Sequence, residues 1–250
     1  MVGAAICLLG TGGWRVSRDR VDIRGSTFTP TRVTGSVGDV WWELGADPGA
    51  VRLDPVPLAA RYLRPFDLQL VSRPRARFDG TVTVGGESFG LDGAPGTISH
   101  YWGRRLPDSW VWVSADGLGA GGGLVEAALI RTRMWGVPGG GVSGGYMMTC
   151  GEGGSRQVVA PAYGKISAIG DRTGFELTAR APGRRLRVRA QARAERYNDL
   201  GEGIHQTLLG DVQVDGLGAL AGGAGLEVRG APFRAGLPLG LDGSGASGAG

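Results

Sequence analysis

The sequence predicts an all-β protein, a barrel or a sandwich, and three observations carry that prediction. Its 250 residues include 49 glycines and 13 prolines, about a quarter of the chain, which penalises long helices and favours short strands joined by tight turns. Apolar and polar residues alternate in short runs, the period of a strand with one buried face. In the later half such runs recur at intervals of roughly ten residues with turn signals between them. Hydrophobic content of 42% and charged content of 20% are ordinary for a folded protein, and the length suffices for one large β domain or two smaller ones.

The apolar start, Met1 to Gly10, has no positive flank and is too short to span a bilayer, so no export signal is expected. The glycines from Gly10 to Gly13 lack the Lys-Ser/Thr of a phosphate loop and the spacing of a dinucleotide fingerprint, which leaves a turn. Val16, Val21 and Ile23 predict a short hairpin between Trp14 and Arg24. Gly35 to Gly45 reads as one strand, with Val40 and Trp42 on one face and Trp41 and Glu43 on the other. Between Pro48 and Pro65, the run Leu58 to Leu63 is the best candidate for a helical turn. Arg75 to Phe89 is a hairpin about Gly85-Gly86, and Asp92 to Gly96 is a turn.

A flexible loop is expected from Asp116 to Gly123, a strand from Leu124 to Trp135, and no regular element from Gly136 to Gly145. Further strands are predicted at Tyr146–Cys150, Gln157–Ala160, Lys165–Ile169, Phe175–Ala179, Leu186–Ala194, His205–Val214 and Gly225–Val228. In the strand from Leu186, the residues Leu186, Val188, Ala190, Ala192 and Ala194 alternate with Arg185, Arg187, Arg189, Gln191 and Arg193, so the apolar set faces a core and the arginines face water. The tail from Leu237 is expected to be disordered.

Composition also limits the chemistry. The net charge of +4 is carried almost wholly by arginine, since Lys165 is the only lysine. No aromatic residues interleave with the arginine strand to form a stacking platform, so nucleic acid is not an expected partner. Cys7 and Cys150 make neither a disulfide framework nor a metal-ligand set and are read as two buried thiols. With only His100 and His205, a His-rich metal site is excluded, and neither metal nor cofactor is expected.

Rare residues crowd into Ser99 to Val113, which holds three of the seven tryptophans and one of the two histidines. If residues 99 to 102 are extended, His100 and Trp102 share a face and Ser99 and Tyr101 take the other; Trp110 and Trp112 likewise share a face. An imidazole can move a proton near neutral pH, and indole faces suit flat apolar ligands and attract a developing carbocation. His100 and Tyr101 are the candidate catalytic residues, and Trp102, Trp110, Trp112, Trp42 and Trp135 the candidate ligand contacts. The same residues also suit an ordinary β-core with His100 bonded to a backbone carbonyl. Asp92, Asp108, Asp116 and Glu227 are the carboxylates at hand, with no spacing that singles one out; Asp108 reads as a turn residue and His205 as structural.

From about Arg75 to Gly230 the chain resembles the tocopherol cyclase-like proteins and their relatives, the carotenoid hydratases and lipocalin-like cyclases. The likeness rests on Phe89 to Gly96, Trp102-Gly103, Pro107, Trp110 and Trp112, then on Gly210 and Gly225 to Gly230. It implies two consecutive lipocalin-like antiparallel β-barrels or half-barrels, residues 1–97 and 98–236, the first short for a complete barrel, followed by the 237–250 tail. It implies an isoprenoid, quinol or other lipid-like apolar ligand, protonation of its double bond, and capture of the cation by an internal phenol or by water. Trp102, Trp110 and Trp112 would line the site with His100 beside the acid. Where the family carries a carboxylate just before the histidine, this chain has Ser99. The expected function is therefore apolar-ligand binding with tocopherol cyclase-like isomerase chemistry. A non-catalytic carrier is the alternative and an arginine-faced nucleic-acid-binding barrel the third. The expected location is cytoplasmic, with at most peripheral membrane contact.

Overall fold

The structure is a computed structural model that describes residues 14–16, 20–23, 25–55, 68–103, 106–133, 141–152, 154–160 and 162–230. One seven-stranded sheet consists of β1 (Trp14–Val16), β2 (Val21–Ile23), β3 (Ser26–Thr29), β4 (Arg32–Val37), β5 (Val40–Asp47), β6 (Leu68–Val84) and β7 (Glu87–Gly103), each neighbouring the next. The ten-stranded sheet begins with β8 (Ser109–Leu118), β9 (Gly123–Arg133), β10 (Gly141–Gly151), β11 (Gly154–Ala160) and β12 (Lys165–Gly170). It continues with β13 (Gly174–Ala181), β14 (Arg184–Gln191), β15 (Asn198–Asp199), β16 (Ile204–Val214) and β17 (Gly218–Arg229). Its order is β11-β10-β9-β8-β17-β16-β14-β13-β12, with β15 paired to β16; the two ends, β11 and β12, touch, so the sheet nearly closes into a barrel. A single 3-10 turn, Ala194–Arg196, is the only helical element among the described residues, and none of their helices is long and apolar enough to cross a membrane.

The all-β class predicted from the sequence is the class observed. The chain divides into two compact units, Val2–Asp54 with Leu70–Tyr101, and Pro55–Gln69 with Trp102–Gly250. In the first unit Val33, Trp42, Leu44 and Val82 form the core, flanked by Phe28, Val40, Phe78 and Leu91. In the second, Val111, Val113, Val125, Ala127 and Met147 meet Phe175, Leu177, Val188, Val212 and Leu226 inside the barrel. Burial of each large side chain there contributes about 1.5–3 kcal/mol. Because strand side chains alternate, filling the interior with Val111 and Val113 sets Trp110 and Trp112 on the barrel's other face.

Five local expectations change, the first being that the loop expected from Asp116 to Gly123 shrinks to residues 119–122, because β8 runs on to Leu118 and β9 starts at Gly123. Gly35 to Gly45 is a hairpin rather than one strand, since Gly38 at φ +59° lets the chain reverse at Gly38-Asp39 between β4 and β5. The facing holds: Trp42 is 3% exposed and Trp41 46%. The segment Asp92 to Gly96 is part of β7, and Pro95 is tolerated because β7 lies at the sheet's edge in the strand order. Gly141 to Gly145 belongs to β10; a Cβ on Gly145 would stand 2.4 Å from the Ala128 carbonyl oxygen, so the glycine is what lets this strand approach β9. Finally, the strand from Leu186 stops at Gln191, and Ala194 is exposed in the 3-10 turn instead of facing the core. Leu58–Leu63, Gly10–Gly13, Cys7 and the 237–250 tail lie outside the described residues; Cys150 is a free, half-buried thiol.

Candidate functional site

Pairing registers on the barrel's other face bring distant residues into two rows. Tyr146 on β10, Ala128 on β9, Trp112 on β8, Glu227 on β17 and Gln206 on β16 stand side by side. The next row is Met148, Glu126, Ser114 and Gly225. Trp110 stands on the same face opposite Arg229. Small neighbours make room for the indole of Trp112: a Cβ on Gly225 would come within 3.0 Å of its ring.

Two carboxyl groups are held here. Glu126 is fully buried, and its Oε1 accepts a hydrogen bond from the Tyr146 hydroxyl at 3.0 Å and a long one from Trp112 Nε1 at 3.5 Å. Glu227 Oε1 accepts from Trp110 Nε1 at 2.7 Å, and its Oε2 from Gln206 Nε2 at 2.8 Å. Burial pushes the Glu227 carboxyl above the ordinary carboxylate range, outweighing the two N–H donors that favour its charged form. Burial, reinforced by the Glu126 charge, pushes the Tyr146 phenol well up, so it remains a donor.

One face of Trp110 is already taken. The Arg229 guanidinium lies 5.4 Å from the ring centroid, a cation–π distance, and donates to the Pro107 carbonyl at 2.8 Å and the Glu202 carbonyl at 2.9 Å. The arrangement therefore offers an indole, Trp112, flanked by the fully buried Glu126 and the half-buried Glu227, and a second indole tied to Glu227 and to a cation.

Of the residues singled out by sequence, Trp110 and Trp112 meet on this face. Trp42 is instead in the core of the first unit, its indole N–H without a partner among the described residues. His100, Tyr101 and Trp102 are the closing residues of β7, and Trp135 lies outside the described residues. Ser99 is exposed and its Oγ is 2.9 Å from Ser72 Oγ, so a hydroxyl pair stands where the resemblance places an acid. Asp108 is exposed beside buried Pro107, and His205 is half-buried on β16 opposite Val228.

Sequence reading missed Glu126 entirely. Its one signal is a lone charge inside the apolar run Leu124 to Leu129, whose other members are all buried.

The structure is similar to that of a putative AttH (NE1406) from Nitrosomonas europaea, with a TM-score of 0.57 and 15% identity over 86% of this chain and 71% of that one. The chain has a lipocalin-like fold. It is also similar to kievitone hydratase from Nectria haematococca, with a TM-score of 0.51 and 12% identity over 89% of this chain and 69% of that one; both neighbours are lipocalin-like barrel proteins. In sequence, 97 residues are 34% identical to the uncharacterized protein Rv0493c of Mycobacterium tuberculosis strain H37Rv, and equally to the uncharacterized protein MT0513 of strain CDC 1551. That match takes in 38% of this chain and 29% of each relative, so the chain spans under a third of their length. No protein-family model matches the chain.

Proposed function

We propose that this lipocalin-like protein binds an isoprenoid or other apolar small molecule against the Trp110–Trp112 face and isomerises it by proton transfer, as in tocopherol cyclase-like chemistry. The observation that supports this most is Glu227, a carboxyl raised by burial and tied to Trp110 on the face that also holds Trp112 and Glu126. Burial that raises a carboxyl favours its protonated form, which is the form a general acid needs. The proton passes from Glu227 to one alkene carbon, and the positive charge appears on the other, where the Trp112 ring stabilises it. An internal phenol oxygen then bonds to that carbon and its proton returns to the carboxylate, so substrate and product are isomers. The hydratase among the structural neighbours, which by its name adds water to kievitone, is compatible with such proton chemistry on this fold.

The carrier reading is favoured by one observation, that both oxygens of Glu227 already accept N–H donors. Turnover of prenylated quinols separates the two. The expected result is a product of unchanged mass, with Glu227→Gln lowering the rate by about a hundredfold or more, the usual worth of a general acid. Equal rates in Glu227→Gln and Glu126→Gln would overturn the assignment, and binding without turnover would establish the carrier.

A further inference from the structure

The arginine strand looks different once its neighbours are in place. Arg187 and Arg189 are partly neutralised: both reach Glu176, at 3.4 and 3.2 Å, and Arg187 also lies 3.9 Å from Asp215. One row further along, no acid intervenes. Lys165 on β12 stands opposite Arg180 on β13, which stands opposite Arg185 on β14. All three are exposed on the barrel's outer face, and none has a carboxylate within 4.0 Å among the described residues.

Like charges directly opposite one another in a sheet are destabilising. Three in one cross-strand row make a strip of positive potential that an anionic surface would relieve. Two exposed apolar side chains accompany the strip: Tyr163, 70% exposed in the turn before Lys165, and Ile169, 38% exposed on the same face of β12 two rows along, opposite Glu176. A tyrosine beside cations and an aliphatic tip fit the interface of a bilayer, where aromatic rings sit at headgroup level.

We propose that the Lys165–Arg180–Arg185 strip, with Tyr163 and Ile169, docks the ten-stranded barrel on an anionic lipid surface. The inference is independent of the indole face and stands whether or not that face is catalytic. Nucleic acid fits less well, because a single tyrosine and an isoleucine offer no stacking series for bases.

Sedimentation of the full chain with vesicles tests it, using phosphatidylcholine alone and phosphatidylcholine with about one-third phosphatidylglycerol, a surface on which each basic residue strengthens binding roughly fivefold. The protein is expected to bind the anionic vesicles, to be released as salt shortens the screening length, and to ignore the neutral ones. The triple variant Lys165→Gln, Arg180→Gln, Arg185→Gln should weaken binding by roughly a hundredfold and each single variant by about fivefold. Because these side chains are exposed, circular dichroism should be unchanged, and the single variants keep the test valid if the triple fails to fold. Tyr163→Ala with Ile169→Ser should weaken binding and leave its salt dependence intact. Equal binding to neutral vesicles, or an unaffected triple variant, overturns the proposal. Saturable oligonucleotide binding that the triple variant loses, without vesicle binding, overturns it in favour of nucleic acid.

Discussion

Replacing Glu227 by alanine removes the acceptor for two N–H groups, Trp110 Nε1 at 2.7 Å and Gln206 Nε2 at 2.8 Å. Trp110 is 6% exposed and cannot turn its N–H to water, whereas half-buried Gln206 can. An orphaned buried donor costs about 1–3 kcal/mol, so the loss should be about 2–4 kcal/mol, most of it from Trp110. Glu227→Gln behaves differently. Its carbonyl oxygen can accept from Trp110, and Gln206 can flip its amide to accept from the new NH2 group. The charge is also gone, and that gives the comparison a sign. A carboxyl whose pKa is raised on folding binds its proton more tightly in the folded state, so its contribution is most favourable at low pH. It is lost as pH climbs from the unfolded value, near 4.5, through the folded one. Relative to the wild type, Glu227→Gln should therefore gain stability as pH rises through that window and then level off, each tenfold weakening of the acid on folding contributing about 1.4 kcal/mol. Guanidinium unfolding followed by circular dichroism at several pH values measures both variants. A gap between glutamine and wild type that is flat across the window, or a glutamine variant as damaged as the alanine one, would refute the reasoning.

Three other outcomes follow from the same geometry. Gly225→Ala places a methyl group 3.0 Å from the Trp112 ring and should cost about 1–3 kcal/mol, with a shift in tryptophan emission; unchanged emission would show that the indole is not packed there. Tyr197, raised to about 12 by burial, has a hydroxyl with no hydrogen-bond partner among the described residues. Tyr197→Phe should thus be neutral or stabilising by up to about 1 kcal/mol in thermal or denaturant unfolding, and a clear loss would mean the hydroxyl is paired. In a spectrophotometric titration Tyr146 and Tyr197 should both stay protonated through the range where an ordinary phenol ionises, and a full complement of ionised tyrosines near pH 10 would contradict their burial.

What the sequence shows and what it hides divide along contact range. Leu186, Val188 and Ala190 are readable as core because their alternation with arginine is a property of one strand, and the Gly85-Gly86 hairpin because both glycines adopt positive φ in a two-residue turn. The Gly38-Asp39 reversal is hidden by its apolar flanks, Val37 and Val40, which continue an extended pattern. The site depends on neither period nor turn. Trp110 and Glu227 are 117 residues apart in sequence, and only the register of β8 on β17 joins them. Glu126 meets Tyr146 for the same reason, as Lys165 meets Arg180 and Arg185 across three strands. The indoles are recognisable by their crowding, and Glu227 is among the carboxylates at hand, but no local spacing singles it out and Ser99 occupies the position to which the family pattern points; Glu126 shows only as a lone charge in an apolar run.

Native mass spectrometry of the purified protein with and without added prenylated quinol is the most direct measurement of whether the Trp110–Trp112 face holds an apolar ligand. The account predicts a one-to-one complex in the wild type that Trp112→Ala weakens and that exposed Trp41→Ala leaves unchanged. Equal complexes in both variants, or none in the wild type with any isoprenoid offered, would contradict it.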